Sequence, residues 1–397
     1  MLKPPGFVRV GDKMEKLAPY ASNPEDSKGR LYPEASSKGR NCFQRDRDRI
    51  LHASAFRRLK GKTQVFVVHE DEDYRTRLTH TLEVSQIARS IAREMLLNED
   101  LTEALALSHD LGHSPFGHAG EEALNDCMNE YGGFDHNAQS LKTVTYLERS
   151  YAQFNGLNLS WEALEGLAKH NGPITGDKVP EYIKEYNQKH DLLLHTFPSA
   201  EAQVAALCDD IAYNSHDIAD GLHAGLFTPE QISEVPFIGE AFAEVNKLYP
   251  NLDFYRKVHE SVRRLINAMV NDVVEESRKR LGDLAPKSAD AVRELSLNVI
   301  SFSDAMAEND RQIKAFLFPH MYRHYKVRRA TSKGRRIIKD LFNLYLSEPD
   351  IFHSDKDTVM GKPKTEQAFI ISDYIAGLTD AAATDEFCRF FNAEVKV

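Results

Sequence analysis

The chain has 397 residues, is 42% hydrophobic and 28% charged, and carries a formal net charge of −10. These fractions are typical of soluble globular proteins and exclude a disordered, collagen-like or disulfide-rich chain. The acidic balance argues against a general nucleic-acid coat, although it leaves room for a local basic groove.

The N-terminal segment 1–40 is predicted to form an irregular arm, because five prolines interrupt it. Its start lacks the apolar stretch of a signal peptide, and no window of the chain approaches 18 uninterrupted apolar residues, so we expect no membrane span. Four cysteines are scattered without any CxxC pair, which is typical of a reducing compartment. These features predict a cytoplasmic protein.

Helical periodicity dominates the chain from Arg45 onward. Apolar residues recur at intervals of three and four, the spacing of one face of an α-helix. A single strand-like alternation lies near 63–69. The fold class predicted from this pattern is all-α. Apolar stripes begin at Val84, Trp161, Val204, Val258, Ile337 and Ile371, and the stripe at Ile371 is predicted to be the last helix.

The segment LSHDLGHSPFGHAGEEALN at 107–125 is the most informative part of the sequence. His109 and Asp110 end one predicted helix, and the glycines and proline that follow them break it. A new helix after this loop would place His118 and Glu121 three residues apart on one face.

Two further helices carry side chains that suit a metal ion. His80 lies at the start of the helix whose stripe begins at Val84, and a later helix aligns Asp209, Tyr213 and Asp217 on one face. Divalent cations of borderline hardness bind imidazoles and carboxylates that converge from different elements. Taken singly, a His–Asp pair is usually a surface hydrogen bond and an acidic helix face is usually solvated. A His, a His–Asp pair and an Asp that follow one another along the chain, each on a predicted helix, together favour a metal site.

The order H…HD…D resembles the HD-domain phosphohydrolases, and more closely their deoxynucleoside triphosphate triphosphohydrolases, which include bacterial dGTPase-like proteins. On this basis we expect an HD-domain catalytic core over 41–230 and a C-terminal helical region over 231–397 packed on it. The segments that carry the resemblance are RDRDRILHASAFRRLKGKTQVF (45–66), RTRLTHTLEVSQIAR (75–89), HDLGHSPFGHAGEEALN (109–125), FDHNAQSL (134–141) and DDIAYNSHDIAD (209–220).

The resemblance implies one bound divalent cation, with Mg²⁺ or Mn²⁺ before other transition metals. It implies water attack at the α-phosphorus of a dNTP, which releases deoxynucleoside and tripolyphosphate. His118 and Glu121 resemble a catalytic dyad that protonates the departing 5′ oxygen or manages the attacking water. His113 is implied as a third catalytic residue, in the triphosphate and leaving-group region. The implied metal ligands are His80, His109, Asp110 and Asp209.

The resemblance also implies substrate contacts. Arg77 would reach the phosphates, Tyr213 would lie against the deoxyribose, and Gln64 with Asp217 would hold the 3′-hydroxyl. His136 would line the triphosphate region. Base preference is left open and is expected to depend on the segment 169–198.

Alternatives remain at this stage. The chain could be an HD phosphohydrolase of another nucleotide, or an inactive HD scaffold that binds dNTPs or single-stranded DNA. The basic run at 322–336 is either a solvated helix end or a contact for triphosphate or single-stranded nucleic acid. The family implies a homo-oligomer, a hexamer or a dimer, and leaves a nucleotide activator open.

Overall fold

The structure is a computed structural model that describes residues 17–65, 74–176, 179–352 and 359–394. Within these ranges it consists of helices and turns without any strand, and two isolated β-bridges join Arg30 to Ser160 and Thr63 to Thr76. The predicted all-α fold class is confirmed. Part of the strand-like run near 63–69 and the first 16 residues of the N-terminal arm lie outside the described residues.

Seventeen α-helices are described, and none of them is both long and apolar enough to cross a membrane. In chain order they are α1 (Cys42–His52), α2 (Ser54–Arg58), α3 (Arg77–Glu94), α4 (Glu99–Ser108), α5 (Gly117–Met128), α6 (His136–Lys142), α7 (Trp161–Ala168), α8 (Glu181–Lys189), α9 (Ala200–His223), α10 (Pro229–Ile232), α11 (Pro236–Leu248), α12 (Phe254–Leu284), α13 (Ala289–Arg293), α14 (Asp304–Leu317), α15 (Tyr325–Ser347), α16 (Lys364–Gly377) and α17 (Asp380–Phe391).

The six apolar stripes seen in the sequence lie in α3, α7, α9, α12, α15 and α16, so these predictions are confirmed. The prediction that the stripe at Ile371 forms the last helix is wrong, because α17 follows it. The hydroxyl of Thr379 caps α17 by accepting from the backbone N–H of Ala382. Ala383, Phe387 and Phe390 follow the helical spacing 0, 4 and 7 and pack in one apolar cluster with α15 and α16, so the signal for this helix was present in the sequence. The division of the chain near residue 230 stays a prediction.

Helices α3, α4 and α9 pack against one another and form the centre of the larger hydrophobic core. Each helix begins at a side-chain cap that satisfies backbone N–H groups of its first turn: Thr76 for α3, Asn98 for α4 and Ser199 for α9. Ile91 and Ile211 are fully buried between them, and each such side chain contributes about 1.5–3 kcal/mol. The caps and the core together fix the rotation of the three helices about their axes.

A second core joins the C-terminal helices α15, α16 and α17 to α5. Gly334 of α15 lies directly against Phe116, and a Cβ atom at this position would lie 2.7 Å from the Phe116 side chain. No side chain larger than hydrogen fits there without movement of the ring. The close approach holds the start of α5 against the C-terminal helices.

Two buried charged side chains tie the loop before α5 to the same C-terminal helices. The carboxylate of Asp380 accepts from the backbone N–H of Phe116 (2.9 Å) and from the backbone N–H of Thr63 (3.0 Å), and it also contacts the Thr63 hydroxyl. Lys62 donates to the carbonyls of His113 (2.5 Å) and Ala376 (2.8 Å). The loop 109–117 is therefore held from the C-terminal side.

Replacing Asp380 with alanine is expected to destabilise the fold by about 2–4 kcal/mol, because it leaves several buried donors without an acceptor. Chemical denaturation of the purified variants measures the free energy of unfolding. The matched control is Asp385→Ala, which removes an exposed carboxylate from the same helix. Equal stability of the two variants would show that the contacts of Asp380 add nothing to the fold.

Candidate active site

Three helices bring the four expected metal ligands together. His80 lies in the first turns of α3, His109 and Asp110 follow the end of α4, and Asp209 lies in α9. Nε2 of His80 is 2.9 Å from Oδ1 of Asp209. Nε2 of His109 is 3.4 Å from Oδ2 of Asp110 and 3.6 Å from Oδ1 of Asp209. The side chain of Asp209 is 28% exposed, whereas the other three are buried.

The chemistry of this cluster fits a divalent cation. Nδ1 of His109 lies 2.7 Å from the carbonyl oxygen of Ala106, so this nitrogen carries a hydrogen and Nε2 of the neutral ring presents a lone pair. That buried Nε2 has no hydrogen-bond partner among the described residues. His80, His109 and Asp110 can each offer one ligand atom, and these atoms lie within 4.8 Å of one another. Nitrogen and carboxylate donors in this number suit a cation of borderline hardness.

Asp110 is a buried anion held by positive and polar neighbours. Burial alone would raise its pKa, but the charge of Arg77 and the neighbouring imidazoles of His109 and His113 hold the pKa well below its ordinary value. Nη1 of Arg77 lies 2.9 Å from Oδ2, and Nε2 of His113 lies 3.3 Å from Oδ1. Arg77, expected from the sequence to reach phosphates, is itself buried beside this carboxylate.

A second polar group forms where α5 begins. Phe116 and Gly117 both have positive φ, at 63° and 59°, and this sharp turn directs His118 from the start of the helix. Nδ1 of His118 lies 3.5 Å from Oε2 of Glu121, as the predicted dyad requires. The His118 side chain is 56% exposed and is therefore accessible to a ligand.

Glu121 has a closer partner than His118. Its Oε1 accepts from the backbone N–H of His136 (3.0 Å) and lies 2.6 Å from Nδ1 of the same residue. The rings of His113 and His136 stack with centroids 4.1 Å apart. Burial opposes ionisation of Glu121, yet the hydrogen bonds of His118 and His136 hold its pKa far below the ordinary value. The dyad seen in the sequence is thus one edge of a group of three imidazoles around one carboxylate.

An open cavity of about 770 Å³ adjoins His118 and Glu121, and a separate cavity of about 330 Å³ is lined by Asp209 of the metal-type cluster and by His170. Oε1 of Gln64 is buried and has no hydrogen-bond partner in the part of the chain that the structure describes. Asp217 is buried and accepts from the hydroxyl of Tyr322, and burial holds its pKa well above the ordinary value. The cavity is lined by residues that include Gln64, His118, Glu121, Tyr213, Tyr322, Arg323, Arg328 and Arg335.

Three residues of this region were missed in the sequence. His170 stacks on His109 with centroids 5.6 Å apart, and its Nε2 is 3.5 Å from Oδ2 of Asp209. His216 contacts His80, and Tyr322 bonds Asp217. The tripeptide SHD at 215–217 could have indicated His216, and the segment KHNG at 169–172 could have indicated His170.

Comparisons with known proteins give one consistent result. The HD domain family matches residues 77–214, and the phosphohydrolase-associated domain family matches residues 300–389. The chain is 53% identical over 381 residues to the deoxyguanosinetriphosphate triphosphohydrolase-like protein of Parvibaculum lavamentivorans, covering 94% of this chain and 96% of that one. Proteins of the same description from Roseobacter denitrificans and Rhizobium meliloti are each 52% identical, over 94% of this chain and 97% and 95% of theirs.

Glu121→Gln is expected to lower the pKa of His136. Burial acts against protonation of His136, but the hydrogen bond and charge of Glu121, with the charge of Asp135, raise its pKa above the ordinary value. An amide keeps the shape and removes the charge, so the imidazole loses its proton at lower pH. NMR titration of the histidine ring signals in the metal-free protein measures this shift. Glu122→Gln, at the neighbouring exposed position, should leave the pKa of His136 unchanged; an equal shift in both variants would contradict the assignment.

Proposed function

The chain belongs to the HD-domain phosphohydrolases described as deoxyguanosinetriphosphate triphosphohydrolase-like proteins, and we propose that it hydrolyses dNTPs to deoxynucleoside and tripolyphosphate. One observation carries this proposal. The ring of Tyr213 lies 6.4 Å from the rings of both His80 and His118. Tyr213, which lines the cavity, therefore lies near both the metal-type cluster (His80, His109, Asp110 and Asp209) and the imidazole–carboxylate group (His113, His118, His136 and Glu121). We propose that one triphosphate bound beside this ring contacts both.

The reaction we propose is water attack at the α-phosphorus. A divalent cation held by His80, His109, Asp110 and Asp209 would polarise a phosphoryl oxygen and lower the pKa of a bound water. His118 would donate a proton from Nε2 to the departing 5′ oxygen, because Glu121 lies on the Nδ1 side of the ring. Glu121 stays ionised beside it and stabilises the protonated imidazole before the transfer.

The cavity also suits a deoxyribose. Tyr213 would present an apolar ring edge to C2′ and leave no room for a 2′-hydroxyl. Oε1 of Gln64, which has no hydrogen-bond partner among the described residues, would accept from the 3′-hydroxyl. A buried polar atom that needs a partner disfavours substrates that lack this hydroxyl. Asp217, which the Tyr322 hydroxyl contacts, would share this role.

The charge of the cavity rim fits a polyanionic substrate. Arg323, Arg328 and Arg335 line the cavity together with Glu121 and Glu122, so its wall carries more arginines than carboxylates although the whole chain has a net charge of −10. Oriented guanidinium groups favour phosphate oxygens. We further propose that the cation is Mg²⁺ or Mn²⁺ and that the protein forms a homo-oligomer. A nucleotide activator and single-stranded DNA are proposed as additional ligands, and no base preference is proposed.

Product analysis tests the reaction directly. Each purified dNTP is incubated with the protein and Mg²⁺ or Mn²⁺, singly and in mixtures, and the products are separated by anion-exchange chromatography. We expect deoxynucleoside and tripolyphosphate, and slower turnover of the matching ribonucleotides. Pyrophosphate with a monophosphate, or orthophosphate with a dNDP, would contradict attack at the α-phosphorus and favour another HD phosphohydrolase activity.

Two variants separate metal binding from proton transfer. Asp110→Asn is expected to lose both bound metal and turnover, because it removes an anionic ligand while keeping the side-chain shape. His118→Ala is expected to retain metal and to lower kcat by about 10²–10⁴-fold. Metal content by elemental analysis, measured beside steady-state kinetics, distinguishes them. Equal loss of metal from both variants would overturn the division of roles.

A further inference from the structure

A row of polar side chains that begins at the buried His216 lies on the Nδ1 side of His80, opposite the nitrogen that faces the metal-type cluster. Nδ1 of His80 is 3.3 Å from Nδ1 of His216 in α9, and both residues are buried. Their rings meet edge to face, with centroids 5.3 Å apart and an interplanar angle of 84°. Neither the proposed chemistry nor the metal ligand set uses His216.

The far side of His216 meets a carboxylate. Its Nε2 is in contact with Oε2 of Glu83, which lies three residues after His80 on α3. Nε of Arg75 is 3.3 Å from Oε1 of Glu83, and Arg75 also contacts Asp220. The arrangement therefore ends in an anion that Arg75 holds in place.

The ring hydrogens of His216 and His80 can be assigned by starting from Glu83. Nε2 of His216 has no hydrogen bond of good geometry among the described residues, and the Glu83 carboxylate is in contact with it. A carboxylate only accepts, so this neighbour favours the tautomer of His216 with the hydrogen on Nε2. A neutral imidazole has one donor and one acceptor nitrogen, so Nδ1 of His216 carries a lone pair. That lone pair accepts from Nδ1 of His80, which leaves Nε2 of His80 as the nitrogen with the free lone pair.

An alternative arrangement competes with this one. Nε2 of His80 lies 2.9 Å from Oδ1 of Asp209, so a hydrogen on Nε2 would form a good bond within the cluster and block the ligand position. An acceptor on the Nδ1 side opposes that tautomer. His109 obtains the same result from the carbonyl oxygen of Ala106, whereas His80 requires a side chain.

We propose that His216 and Glu83 are positioning residues that fix His80 in the tautomer able to bind a cation through Nε2. The inference rests on the metal centre of the proposed function and adds residues that act through a ligand without touching the cation. Partners of this kind orient metal-binding imidazoles, and their loss typically weakens metal affinity by about 10–100-fold.

The test measures Mn²⁺ binding to metal-free protein by isothermal titration calorimetry. His216→Leu removes both polar atoms and should weaken binding by about 10–100-fold. His216→Gln offers an acceptor oxygen and a donor nitrogen and should recover most of the affinity. The matched control is Ser215→Ala in the same helix, whose buried hydroxyl bonds only the carbonyl of Ile211 among the described residues, and it should bind as wild type does.

Each outcome has one meaning. If the wild-type protein binds no Mn²⁺, the metal centre of the proposed function fails. If wild type binds Mn²⁺ and His216→Leu binds it equally well, the inference is overturned while the metal centre stands. If His216→Gln is as weak as His216→Leu, packing and not the hydrogen-bond pattern explains the loss, which also overturns it.

A second readout covers the case in which His216→Leu does not fold. Glu83 is 44% exposed, so Glu83→Gln is expected to fold. Its amide no longer forces the hydrogen of His216 onto Nε2. Nitrogen NMR of ring-labelled, metal-free protein reports which nitrogen of His80 carries the hydrogen. We expect Nδ1 in wild type and a mixture in Glu83→Gln; Nε2–H in the wild-type protein, or no change in the variant, would contradict the inference.

Discussion

The buried charge of Asp110 is the constraint on which the site depends. A carboxylate removed from water is tolerated only where paired charges and hydrogen bonds replace its hydration. Arg77 supplies the charge from α3, while His109 and His113 approach from the end of α4 and the loop after it. These partners come from separate elements, so the packing of α3 on α4 has to be correct before the anion can be buried. The core between these helices therefore determines the geometry of the chemistry.

The C-terminal helices complete the same site from the other direction. The matched phosphohydrolase-associated region, 300–389, includes Asp380 and Ala376. Asp380 accepts from the backbone N–H of Phe116, between His113 and His118, and Ala376 accepts from Lys62, which also donates to the carbonyl of His113. Gly334 allows α15 to approach Phe116 closely. Because the turn at Phe116 and Gly117 has two successive positive φ angles, it needs such support to persist. The C-terminal region is thus part of the structure that aims the imidazoles at the cavity.

The sequence was sufficient for elements whose signal is local. Periodic stripes predicted the long helices, and the HD pair with its following loop predicted where α4 ends and α5 begins. It was insufficient where tertiary packing creates the contact. Glu121 contacts His136, which is 15 residues away along the chain, so the sequence indicated only its i, i+3 partner His118. His216 is seven residues from Asp209 on α9, and its contact with His80 depends on how α3 packs on α9.

Four histidines of the site share one feature, a hydrogen-bond partner at Nδ1. Four imidazoles of the site have a partner at Nδ1: a backbone carbonyl for His109, a second imidazole for His80, and the carboxylate of Glu121 for His118 and His136. Because a neutral imidazole donates at one nitrogen and accepts at the other, a partner that accepts at Nδ1 leaves Nε2 as the nitrogen available to a ligand. The partners are a backbone carbonyl, an imidazole and one carboxylate shared by two rings, so no single sequence motif describes the set. What these four rings share is a partner at Nδ1, which leaves Nε2 as the nitrogen that can contact a cation or a substrate.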